Sequence, residues 1–108
     1  WRKQARNAVL DAMLAPPPRT TDYRTEVVAE EQRNGYKARK LRFNLTGYSR
    51  VNAYMLVPDG EGPFPAVVLL HDHGGHYTIG KEKMIRPFGV SPEVLADADA
   101  WAKQCYGG

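Results

Sequence analysis

Residues Ala66–Leu70 read "AVVLL", apolar at every position, between Pro65 and the polar stretch that begins at His71. A strand with one wet face alternates polar and apolar residues. A run without alternation belongs to a strand covered on both faces, as in the interior of an α/β sheet. An inner strand also needs hydrogen-bonding neighbours along both edges. The other strand candidates form an antiparallel set of their own, so these 108 residues predict part of a larger α/β domain. The remainder is expected in the same or a companion chain, whether this one is truncated, proteolysed or nicked.

The other elements follow from periodicity and stop signals. Residues 1–15 place Trp1, Ala5, Val9 and Met13 four apart, with Leu10 and Leu14 alongside, which predicts an amphipathic helix ended by Pro16–Pro18 and packed on the sheet. Residues 24–58 predict a strand meander, with strands around Thr25–Glu31, Tyr36–Leu45 and Val51–Val57. In the second, Tyr36 and Ala38 fall on one phase and Leu41, Phe43 and Leu45 on the other, which predicts a bulge or strong twist near Arg39–Lys40. Residues 65–76 hold the buried strand and its loop. Residues 91–106 predict a helix, with Ser91 as N-cap, Pro92 in the first turn, a stripe from Val94 through Leu95, Ala98, Trp101 and Ala102 to Cys105, and Gly107 as C-cap.

Composition narrows the function classes. Hydrophobic content of 43% and charged content of 25% are those of a folded globular chain. No apolar run approaches the roughly 20 residues of a membrane span, so no membrane partner is expected. The lone Cys105 has no disulfide partner and reads as a buried structural thiol. The chain starts at Trp1 without a charged-then-apolar leader, and the compartment stays open between cytoplasmic and secreted. Residues 1–50 carry 11 Lys/Arg against 5 Asp/Glu, and residues 51–108 carry 4 against 7. A basic half suits a non-enzymatic binding module. Its cations are scattered over a helix and several strands and no nucleic-acid module accompanies them, so no nucleic-acid partner is expected.

The chemistry concentrates in "HDHGGH", residues 71–76. A metal-dependent hydrolase using His71, His73 and His76 is one alternative. Binuclear hydrolases of the metallo-β-lactamase type carry His-x-His-x-Asp-His after a buried strand, with the acid directly before the last histidine. Here Gly75 holds that place, Asp72 sits between the first two histidines, and no second Cys/His cluster completes a site, so no metal is assigned. The other reading is a loop whose backbone acts. Glycines let main chain approach a substrate closely, and a main-chain N–H after a central strand can face a developing oxyanion.

"VNAYMLVPDGEGPFPAVVLLHDHGG", after a helix and a strand meander, resembles the acetyl xylan esterase and dienelactone hydrolase-like branch of the α/β-hydrolase superfamily. The resemblance is strong over residues 50–76 and looser before them, and residues 77–108 carry no family motif. It implies an α/β-hydrolase fold of which this chain is the N-terminal part: helix, antiparallel meander, first buried strand, oxyanion loop, helix. It implies that the His73 N–H serves an oxyanion hole, with Asp72 and Gly74 as neighbours. His71 is then a structural residue bonded within the loop, and Asp72 pairs with a histidine or Lys81. His71, Gly75, His76 and Tyr77 are candidates to line the pocket, with His76 and Tyr77 at its mouth or exposed beside it.

The triad of that family is missing. Its nucleophile lies in Gly-x-Ser-x-Gly. Only two serines occur: Ser49, in "GYSRV", lacks the second glycine, and Ser91 reads as a helix cap. The resemblance therefore implies a serine hydrolase of carboxylic esters, acetyl or other carbohydrate esters among them, with its nucleophile elsewhere and this chain inactive alone. A small-molecule ester and the rest of the hydrolase domain are the expected partners, and no cofactor is called for. The oligomeric state is not legible.

Overall fold

The computed structural model describes residues 1–13 and 16–107. Helix α1 spans Arg2–Ala12, strand β1 Glu26–Arg33, β2 Tyr36–Thr46 and β3 Ser49–Pro58; a 3-10 turn at Lys81–Lys83 and helix α2, Pro92–Tyr106, follow. The strands form one antiparallel sheet in the order β1-β2-β3, the meander expected from sequence. Two-residue loops join them. Gly35, at φ +83°, turns the first, where a side chain would be strained. The second, Gly47–Tyr48, is tied by a 2.8 Å hydrogen bond between the hydroxyls of Thr46 and Ser49.

The bulge is not where the sequence suggested. β2 runs regularly through Arg39 and Lys40, whose partners are Glu30 and Ala29 on β1 and Met55 and Tyr54 on β3. The extra residue is Val28 on β1, between the pairs Val27–Leu41 and Ala29–Lys40; a second irregularity leaves Leu45 unpaired. The change of phase along β2 therefore marks a change in which face is apolar. Tyr36, Ala38 and Lys40 share a face with Ala29, Tyr54 and Leu56, whereas Leu41 and Phe43 share the other with Val51, Ala53, Met55 and Val57.

Residues 79–90 cover the first face. Ala38 is fully buried, and Phe88 packs on Tyr54 with ring centroids 5.5 Å apart. The Arg33 guanidinium lies 5.5 Å from the Phe88 ring centre, and Lys40 Nζ donates to the Gly89 carbonyl at 3.1 Å. Burial raises the Tyr54 phenol above its ordinary pKa, with the Glu82 carboxylate adding to the effect. Buried Ile79 and Ala98 continue this small core to α2, which packs against the 3-10 turn.

Helix α2 matches its sequence signals at both ends. Ser91 Oγ accepts from the Val94 amide at 3.5 Å, Pro92 opens the first turn, and Gly107 closes the helix at φ +70°. Two expectations are corrected. α1 forms, yet it buries none of its residues: Trp1, Val9, Leu10 and Met13 are all exposed, because none of the described elements lies against its stripe. Leu14 and Ala15, which the sequence put at its end, lie outside the described residues. Cys105 is exposed on the last turns of α2, beyond the part of that helix that meets the core.

The neighbours that an inner strand at Ala66–Leu70 would need are not among the described residues. The segment is extended but pairs with no strand, and Val67, Val68 and Leu70 are more than four-fifths exposed. Among the described residues there is no strand beside it, so its apolar side chains and backbone groups face solvent. No described helix is long and apolar enough to cross a membrane. Part of the basic half is internally paired: Arg24 meets Asp22, Arg33 meets Glu31, Lys37 and Arg39 share Glu30, and Arg50 meets Glu26.

Candidate functional site

The loop after the apolar segment is built around a turn. The His76 amide donates to the His73 carbonyl at 3.0 Å, and the residues between, Gly74 and Gly75, have φ of +49° and +72°. Two successive positive φ values are the signature of a mirror-image turn that glycine adopts without steric cost. Gly74 has a second reason to lack a side chain. A Cβ there would lie 2.8 Å from Cη2 of Trp101, whereas one on Gly75 would meet open space.

The three histidines have separate engagements. His71 Nδ1 is 2.9 Å from the Asp72 carbonyl; since a carbonyl only accepts, that nitrogen carries the proton. Its ring lies against Gly80, where a Cβ would come within 2.8 Å of Cε1. His73 Nδ1 accepts from the Gly75 amide at 3.1 Å, and its ring meets Tyr77 edge-on at 5.0 Å. His76 meets the Trp101 ring edge-on at 4.9 Å. Among the described residues no three His, Cys, Asp or Glu side chains gather as a metal site. His71, His73, His76 and Tyr77 are all exposed.

Lys83 lies beneath this loop, with its side chain 2% exposed. Nζ donates to the carbonyls of Asp72, at 3.2 Å, and of His73, and stands 4.9 Å from the centre of the Trp101 ring. The Asp72 carboxylate is 3.8 Å away and largely exposed. Asp72 therefore faces Lys83, whereas Lys81, which the sequence offered alongside a histidine as its partner, binds Glu82 at 2.9 Å. Burial works against ionisation of Glu82, but hydrogen bonds from Lys81 and from the Gly80 amide outweigh it and hold the carboxyl below its usual range.

The peptide geometry has a directional consequence. The bonds joining Asp72 to His73 and His73 to Gly74 are trans, and in a planar trans peptide the N–H points opposite to the C=O. Both carbonyls face the Lys83 ammonium, so the amides of His73 and Gly74 point away from it. Among the described residues neither amide has a hydrogen-bond acceptor. The loop thus presents two adjacent donors on its outer side.

The serines have other tasks. Ser49 bonds Thr46 at the β2–β3 turn, and Ser91 caps α2. Lys83 and Trp101 were the residues that sequence reasoning did not bring to the site. Trp101 was legible as part of a helix stripe, but nothing in "KEK" separates the buried Lys83 from the half-buried Lys81.

Comparison with known proteins agrees on the class. The model of the Abhydrolase family matches residues 1–108. A curated protein of Bacillus subtilis (strain 168), named "Putative hydrolase YtaP", is 33% identical over 81 residues, which cover 74% of this chain and 27% of that relative. The chain thus spans about a quarter of the length of that relative. No solved structure matches. With the family matched along its whole length, the chain belongs to the Abhydrolase family of the α/β-hydrolase superfamily.

Proposed function

We propose that these residues are the N-terminal part of a serine hydrolase of carboxylic esters and that the loop 71–76 supplies one side of its oxyanion hole. The observation that carries this reading is the pair of carbonyls, Asp72 and His73, turned onto one buried ammonium, which leaves the His73 and Gly74 N–H groups free on the opposite side. Family membership and the name of the Bacillus relative support the reaction class. The unpaired apolar segment Val67–Leu70 supports a sheet completed by residues outside this chain.

In this mechanism a serine outside residues 1–108 attacks the ester carbonyl while a histidine takes its proton. The carbonyl oxygen gains charge as the tetrahedral intermediate forms. The His73 N–H, with an amide following the nucleophile, donates to it. The donors are held before the reaction begins, so little reorganisation is needed, and one such donor typically lowers the barrier by about 2.7–4 kcal/mol. Side-chain chemistry at His71, His73 or His76 is not required.

The test is hydrolysis of p-nitrophenyl acetate by the 108-residue chain and by the longer protein containing it. Turnover by the longer protein alone is expected. Turnover by the purified 108-residue chain would place the nucleophile within it and contradict the proposal.

A further inference from the structure

We infer that Lys83 is a positioning residue, one that fixes the direction of the His73 and Gly74 amides without touching substrate; the inference rests on the oxyanion role proposed for that loop. The ammonium is almost completely buried on the 3-10 turn, an expensive location for a charge unless its donors are satisfied. An ammonium has three donors. Two go to the carbonyls of Asp72 and His73, and the Trp101 ring covers another side at 4.9 Å. The Asp72 carboxylate does not explain the burial, because it is 3.8 Å away and 76% exposed. What Lys83 holds is main chain.

Holding those carbonyls matters because, among the described residues, the two peptides have no other long-range anchor of that kind. Their remaining partners are local: the His71 ring on the Asp72 carbonyl and the His76 amide on the His73 carbonyl. Flanking Gly74 and Gly75 allow the peptide planes to rotate at little steric cost. The ammonium sets the plane of both, and so directs both N–H groups. It also polarises the carbonyls, which strengthens the amides of the same peptides as donors. The position of an oxyanion donor acts on the transition state more than on substrate binding.

The experiment compares wild type with Lys83→Met, Lys83→Gln and Lys83→Arg in the longer protein, using p-nitrophenyl acetate and a melting curve for each variant. Lys83→Met keeps the length and apolar stem and removes the charge. Its kcat is expected to fall about 10- to 100-fold, the scale of a misplaced catalytic group, with KM within about twofold. Lys83→Arg, which keeps charge and donors, recovers most of the lost kcat. If Lys83→Met does not fold, Lys83→Gln decides by the same kcat and KM criteria. An active wild type with unchanged kcat in either folded uncharged variant overturns the assignment of Lys83 alone. A wild type with no turnover overturns the hydrolase reading itself.

Discussion

The Lys83 ammonium stands 4.9 Å from the centre of the Trp101 indole and donates from the same nitrogen to the carbonyls of Asp72 and His73. This relationship joins a turn, a helix and the loop after the apolar segment. Trp101 meets the turn once and the loop twice: the ring faces Lys83, His76 meets it edge-on, and Gly74 has no room for a side chain beside it.

Gly74 and Gly75 should therefore respond differently to alanine. Both sit at positive φ, which strains any L side chain, but only Gly74 faces the indole. Gly75→Ala is expected to cost ~1 kcal/mol of stability from backbone strain. Gly74→Ala should cost about 2–4 kcal/mol, since strain and a clash with a ring add. Denaturant unfolding of both variants checks this, and equal losses would show that Trp101 does not press on the loop.

The exposed apolar segment gives opposite outcomes in two settings. Val68 is 84% exposed in an unpaired extended stretch, a ready template for association between chains. The 108-residue chain should self-associate in light scattering, and Val68→Lys should reduce this by placing a charge in the run. In the longer protein the same substitution should be severely destabilising, because a lysine would enter a strand covered on both faces. Tolerance of Val68→Lys there would contradict an inner-strand role.

Glu82 makes the 3-10 turn sensitive to acid. Its carboxyl is held below the ordinary range, so the folded state binds this proton less readily than the unfolded chain does. The stabilisation is fully present above the unfolded value, about 4.3, and is lost as pH falls through the lower folded value. The melting temperature of wild type should exceed that of Glu82→Gln at pH 7, and the gap should close towards pH 3. A gap independent of pH would remove the ionised carboxylate from the explanation.

Legibility from sequence followed the range of the interactions. The caps of α2 are short-range chemistry, so Ser91, Pro92 and Gly107 could be read directly, as could the turn at Gly35. The meander followed from alternation. The bulge was misplaced because it belongs to a pairing, and Val28 is extra only in relation to Leu41 and Lys40. The loop's two positive-φ glycines were visible, but the residue beneath them was not. Lys83 is buried by Trp101, eighteen positions later, and only the folded chain brings the two together. The apolar stripes of α1 and Ala66–Leu70 were read correctly as apolar, yet burial requires a neighbour, and none of the described residues provides one.

The central claim is that this loop serves a serine nucleophile elsewhere in the protein. A fluorophosphonate probe reacts covalently with an activated serine, and peptide mapping of the labelled longer protein locates it. The account predicts one adduct, on a serine outside residues 1–108, with Ser49 and Ser91 unmodified. An adduct on either of those serines, or unlabelled protein whose ester turnover is abolished by a metal chelator, would contradict it.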